Sequence, residues 1–88
     1  MWRPRRSSRF DKGYVKISNE LQERADEAIK TLLASDRPES LGEVKRHSRK
    51  GYFAWNLGRQ CRILYTPDYS RGLINFARIC SHKEVYGP

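Results

Sequence analysis

Eighty-eight residues fit one small domain and leave no room for a second core. Lysine and arginine number 18 against 10 acids, a net charge of +8 at pH 7, so a polyanion is the first partner to consider. Hydrophobic residues reach 38%, enough for a thin core, but no apolar run approaches the roughly 20 residues that span a bilayer, which excludes a transmembrane helix, and no membrane partner is expected.

Residues 1–9 carry Arg3, Arg5, Arg6 and Arg9 with Pro4 and two serines, a composition that cannot nucleate a core. They read as a basic N-terminal arm or a short edge strand, since proline cannot donate to a ladder, and residues 10–88 as a single domain. The basic start lacks the following apolar stretch of about 7 to 15 residues that a signal peptide needs, which argues against secretion. Cys61 and Cys80 form neither a CxxC unit nor a disulfide-rich scaffold, so a reduced, cytoplasmic protein is expected. With His47 and His82 they offer no metal spacing, and neither metal nor other cofactor is expected.

Phe10, Tyr14 and Ile17 suggest a short helix, although Gly13 weakens it. From Asn19 the pattern is stronger: Leu21, Ala25, Ala28, Ile29, Leu32 and Leu33 fall on one helical face. Ser18 or Asn19 supplies the N-cap, and Ser35 to Pro38 ends the helix. After a polar link from Asp36 to Lys50, the segments Tyr52 to Leu57, Cys61 to Thr66 and Leu73 to Cys80 are short and rich in aromatic and branched residues. They read as an antiparallel meander divided at Gly58-Arg59 and at Pro67 to Gly72. Helices first and strands after give an α+β fold, two N-terminal helices packed on a small antiparallel sheet.

A two-residue turn at Gly58-Arg59 sets Trp55 opposite Arg62 and Phe53 opposite Leu64. A second hairpin centred on Ser70 sets Arg62 opposite Arg78 and Leu64 opposite Phe76. In that register Trp55, Arg62 and Arg78 share one face, while Ala54, Ile63, Tyr65, Leu73, Ala77 and Ile79 form the bed for the helices. Two arginines directly across a ladder repel by roughly 0.2 to 1 kcal/mol, which asks for a compensating anion such as a phosphate. The bland alternative is two solvated arginines and a core tryptophan.

The chain then runs Phe76-Ala77-Arg78-Ile79-Cys80-Ser81-His82-Lys83-Glu84-Val85-Tyr86. A titratable imidazole, a permanently charged fork and a ring with a polar tip, four residues apart, are a kit for phosphodiester cleavage. Together with Arg62-Ile63-Leu64-Tyr65, this ending resembles the RelE/ParE superfamily of toxins from type II toxin-antitoxin systems, and especially its YafQ-like and archaeal RelE branches. The likeness runs from about Phe10 to Tyr86.

The resemblance implies a microbial-ribonuclease-like fold and an mRNA interferase acting in the ribosomal A site without a metal. The RNA's own 2′-hydroxyl would attack the adjacent phosphate, leaving a 2′,3′-cyclic phosphate and a 5′-hydroxyl. Arg62 and Arg78 match the phosphate-binding arginines, His82 the catalytic histidine as general acid, and Tyr86 the C-terminal aromatic. Phe53 and Trp55 stand where the RelE branch carries lysines, so the general base is unassigned; His47, Lys45, Arg49 or Lys50 could serve. These residues and Arg46 form a basic loop suited to mRNA and ribosomal RNA, and Trp55 could stack a base. An acidic cognate antitoxin is the implied protein partner. A ParE-type gyrase inhibitor and a non-catalytic basic RNA-binding module are the alternatives.

Overall fold

The computed structural model describes residues 2–44, 51–58 and 61–80. Its order is β1 (Arg3–Arg6), α1 (Ser8–Tyr14), α2 (Asn19–Ala34), a 3-10 turn (Pro38–Leu41), β2 (Glu43–Val44), β3 (Phe53–Gly58), β4 (Cys61–Asp68) and β5 (Leu73–Ile79). Five strands form one sheet in the order β1-β5-β4-β3-β2. Three strand pairs are antiparallel, but β1 runs parallel to β5, so the sheet is mixed rather than wholly antiparallel as the sequence suggested. Among the described residues, no helix is long and apolar enough to cross a membrane.

Both helices begin at the serine that local chemistry favours. The Ser7 hydroxyl accepts from the Phe10 amide and the Ser18 hydroxyl from the Leu21 amide, each satisfying one of the donors a helix leaves bare at its start. The α2 stripe lands as its spacing requires. Ala25, Ala28 and Leu32 are buried, and Leu21, Ile29 and Leu33 pack half-buried beside them.

Gly13 has a positive reason to be glycine. A Cβ there would stand 2.7 Å from the Ile79 carbonyl oxygen and 2.9 Å from Ile79 Cγ2, so α1 lies on β5 at a distance that no other residue permits. Phe10, on the same helix, is fully buried, and its ring lies 5.8 Å from that of Phe76.

The core occupies the helix side of the sheet, where Leu57, Cys61, Ile63, Tyr65, Ile74, Phe76 and Ile79 meet Phe10, Ala25, Ala28 and Leu32. Tyr65 is the largest fully buried side chain, and its hydroxyl donates to the Pro38 carbonyl at 2.7 Å, tying the 3-10 turn to the middle of the sheet. Burial pushes the Tyr65 phenol up to about 12. The Gly42 backbone passes so close that a side chain there would strike the Tyr65 hydroxyl.

The basic start of the chain is a strand, and proline is tolerated because β1 is an edge. Arg3, Arg5, Arg6 and Arg9 are all exposed, and Arg6 pairs with Asp11 at 3.4 Å. Trp2 holds this arm down. Its indole N–H donates to the Ser35 carbonyl at 2.8 Å, and its ring meets Tyr69 edge to face at 4.8 Å.

Cys61 and Cys80 are joined by a disulfide, which corrects the expectation of two reduced thiols. They sit 19 residues apart in sequence, but the β4–β5 ladder brings them together, their Cα atoms 4.2 Å apart. Closing a loop of that length contributes about 3 kcal/mol on the chain-entropy model.

Candidate functional site

The two strand arginines lie on the sheet face that the helices leave open. Strand alternation gives Ile63 and Tyr65 of β4 to the helix side and therefore Arg62 and Leu64 to the other. Arg78 opposes Leu64 across β4–β5, so it shares that face. The sequence had also placed Arg62 and Arg78 on one side of the sheet, but the register differs by one residue at the first hairpin and, past a bulge, by two where β5 runs beside Arg62.

At the first hairpin, Trp55 pairs with Ile63 and Phe53 with Tyr65, not with Arg62 and Leu64. Gly58, in the left-handed region at φ 91°, and an irregularity between Asn56 and Gly58 shift the ladder. At the second, Asp68 pairs with Leu73 across a loop of residues 69–72, and a bulge lies between Leu64 and Tyr65. Three corrections follow. Trp55 lies on the helix side, packed half-buried against the core, and does not converge with the arginines. Ala54 and Leu73 change to the open face, and Ile74 and Phe76 supply the helix bed beside Ile63, Tyr65 and Ile79. Arg62 does not face Arg78 directly.

Instead, the face is built in rows. One row runs Ala54, Leu64, Arg78 across β3, β4 and β5, with exposures of 3, 2 and 6%. In the next, Arg62 stands opposite Asn56. The arginines are thus diagonal neighbours, a relation that separates side chains by about 7 to 8 Å at the backbone. The repulsion of a directly opposed pair is relieved, and two long guanidinium arms can still converge on one anion. Burying most of Arg78 fixes its approach, while half-buried Arg62 keeps access to solvent.

The strand end is shaped by Cys80. Its amide donates to the Arg62 carbonyl at 2.9 Å, and its backbone takes φ 56°, a left-handed conformation uncommon outside glycine. Simple alternation after Ile79 would aim Cys80 at the open face. The left-handed turn lets it meet Cys61, which belongs to the core side. The open arginine face and the disulfide therefore share the same end of β4 and β5. Neither the Asn56 neighbour nor the cysteine pair was legible without the true register.

His82 and Tyr86, and the basic loop residues Lys45, Arg46, His47, Arg49 and Lys50, lie outside the described residues. His82 follows Cys80 by two positions in the chain. A separate groove of about 430 Å³ lies among Trp2, Leu33, Ser35, Asp36, Tyr69 and Gly72 and includes none of the candidate site residues.

Two helices on one face of a small mixed sheet, with two neighbouring arginines on the other, define the class: an α+β fold with a basic pair on its helix-free sheet face. The fold is that of the RelE-like toxins. The chain superposes on the toxin-antitoxin complex RelBE2 of Mycobacterium tuberculosis with a TM-score of 0.74 and 20% identity, over 89% of this chain and 94% of that one. The archaeal RelE-RelB complex of Pyrococcus horikoshii gives 0.70 at 16% identity, over 89 and 91%. A YafQ point variant from E. coli gives 0.67 at 17% identity, over 99 and 100%. No protein-family model matches the sequence, and no curated protein does.

Proposed function

We propose that this chain is the toxin of a type II toxin-antitoxin pair and acts as a metal-independent endoribonuclease on ribosome-bound mRNA, inhibiting translation in the cytoplasm. The observation that carries the reading is the diagonal pair Arg62 and Arg78 on the helix-free face of a RelE-like sheet, one buried and one half-buried. A net charge of +8 supports a polyanionic substrate.

In this scheme the 2′-hydroxyl of the RNA attacks the adjacent phosphate. Arg62 and Arg78 stabilise the charge that builds on the non-bridging oxygens, worth about 10²- to 10³-fold for each well-aimed donor. His82 protonates the leaving 5′-oxygen, and Tyr86 orients or stacks the substrate. Lys45, Arg46, His47, Arg49 and Lys50 hold the backbones of mRNA and ribosomal RNA, and one of them takes the 2′-hydroxyl proton. Trp55 is half-buried on the helix side of the sheet, so any base it stacks lies apart from the arginine pair. The protein partner is an acidic antitoxin that sets carboxylates against the arginine face and blocks it directly. Several structures that share the fold are complexes of a toxin with its antitoxin, which supports a partner of this kind.

The test is cleavage of mRNA on translating ribosomes by the wild type and by His82→Ala. The variant should keep the fold by circular dichroism and lose about 10²- to 10⁴-fold in cleavage rate. Undiminished cleavage removes His82 from the mechanism. Intact mRNA together with inhibited DNA gyrase would instead establish the ParE-type activity.

A further inference from the structure

The geometry points to Cys61 and Cys80 as a thiol-disulfide switch that sets the activity of the arginine face, the oxidised protein being the active form. The inference rests on the ribonuclease reading for its consequence and on the position of the bond for its mechanism.

Cys61 directly precedes Arg62, and Cys80 follows Arg78 by two residues and precedes His82 by two. The bond therefore links the ends of the two strands that carry Arg62 and Arg78. It also holds the left-handed turn at Cys80, whose amide donates to the Arg62 carbonyl. Without the bond, the less favoured backbone of that turn lies at the end of a ladder, where strands open most readily. Loss of register there moves Arg62 relative to Arg78, and displacements of about 1 Å in such constellations can cost 10²-fold in rate.

The two thiols differ in access, and this orders the exchange. Cys80 is half-buried, whereas Cys61 is 2% exposed within the core. With a small-molecule disulfide as oxidant, the Cys80 thiolate attacks one sulfur, forms a mixed disulfide and expels a thiolate. The Cys61 thiolate then attacks the Cys80 sulfur, closing the internal bond and expelling the second thiolate. Two electrons pass from the cysteines to the oxidant, and the two cysteine protons end on its two thiols. Reduction by the same small thiol runs the sequence backwards.

The experiment poises the full chain in buffers of oxidised and reduced glutathione, counts free thiols by alkylation and mass, and measures both cleavage of ribosome-bound mRNA and amide exchange at Cys80. Full reduction should slow cleavage at least tenfold and speed Cys80 amide exchange, and reoxidation should restore both. Cys80→Ser should match the reduced wild type in every buffer. Equal cleavage by the fully oxidised and fully reduced forms overturns the switch, as does a protein whose two thiols stay free under all oxidising buffers. If no state cleaves RNA, the ribonuclease reading fails by itself. The switch is then decided by exchange: unchanged protection at Cys80 overturns it, and redox-dependent protection upholds the conformational control.

Discussion

Replacing Gly13 by alanine sets helix propensity against packing. On propensity alone, alanine stabilises a helical position by up to about 1 kcal/mol over glycine. Its Cβ, however, would sit 2.7 Å from the Ile79 carbonyl oxygen and 2.9 Å from Ile79 Cγ2, inside van der Waals contact with both. Neither neighbour yields readily. Ile79 is 1% exposed, its strand is paired to β4 at Ile63, and the chain beyond it is tied through Cys80 to Cys61. Helix α1 must therefore lift from the sheet, loosening Phe10, which is fully buried. Overpacking of this kind costs about 1 to 3 kcal/mol, which less the propensity gain leaves an expected net loss centred on about 1 kcal/mol. For a domain of this size each kcal/mol lowers Tm by about 4 to 8 °C. Urea denaturation followed by circular dichroism measures the loss, with exposed Lys12→Ala on the same helix as a control expected within about 0.5 kcal/mol of wild type. A Gly13→Ala protein as stable as wild type, or more so, would refute the close-approach argument.

Other consequences are open to direct measurement. Because burial raises the Tyr65 phenol to about 12, above its ordinary value of 10, the neutral ring stabilises the fold fully below pH 10. About 2 to 3 kcal/mol is then lost as the pH rises through 12. Tyr65→Phe should flatten that alkaline loss and lower stability at pH 7 by about 1 to 2 kcal/mol, since the Pro38 carbonyl loses its donor; an unaltered alkaline profile would show that another group controls it. Arg62→Ala should keep the fold while slowing cleavage by about 10²-fold, as expected of a half-buried charge that reaches substrate. Arg78→Lys keeps the charge but not the planar fork, and it should also slow cleavage. Wild-type single-turnover rates for Arg78→Lys would reduce that role to a point charge.

The parts of this fold that the sequence disclosed are those specified within one element. The α2 stripe and its Ser18 cap need only helical periodicity, and the three long strands need only aromatic and branched residues between turn signals. What failed depends on how elements meet. Gly13 looked like a weakness in α1 because propensity cannot see the Ile79 carbonyl that requires it. Pro4 and the arginines made β1 a poor strand by composition, yet an edge beside β5 accepts them. The register slipped because the residues absorbed near Gly58 and between Leu64 and Tyr65 carry no local mark, and one residue moved Trp55 to the helix side. Arg62 and Arg78 kept a common face because the bulge between Leu64 and Tyr65 adds a second residue to the shift at that hairpin, and a two-residue shift leaves faces unchanged. The disulfide was hidden for the same reason: 19 residues of separation mean nothing until Ile63 is known to oppose Ile79.

On the proposed mechanism this chain cleaves RNA by means of the substrate's own 2′-hydroxyl. The most direct test supplies translating ribosomes with an mRNA carrying a single 2′-deoxy nucleotide at a mapped cleavage position, beside the all-ribose message. Cleavage of the ribose message should leave a 2′,3′-cyclic phosphate and a 5′-hydroxyl, with none at the deoxy position. Cleavage at the deoxy position, or ends bearing a 5′-phosphate, would contradict the mechanism.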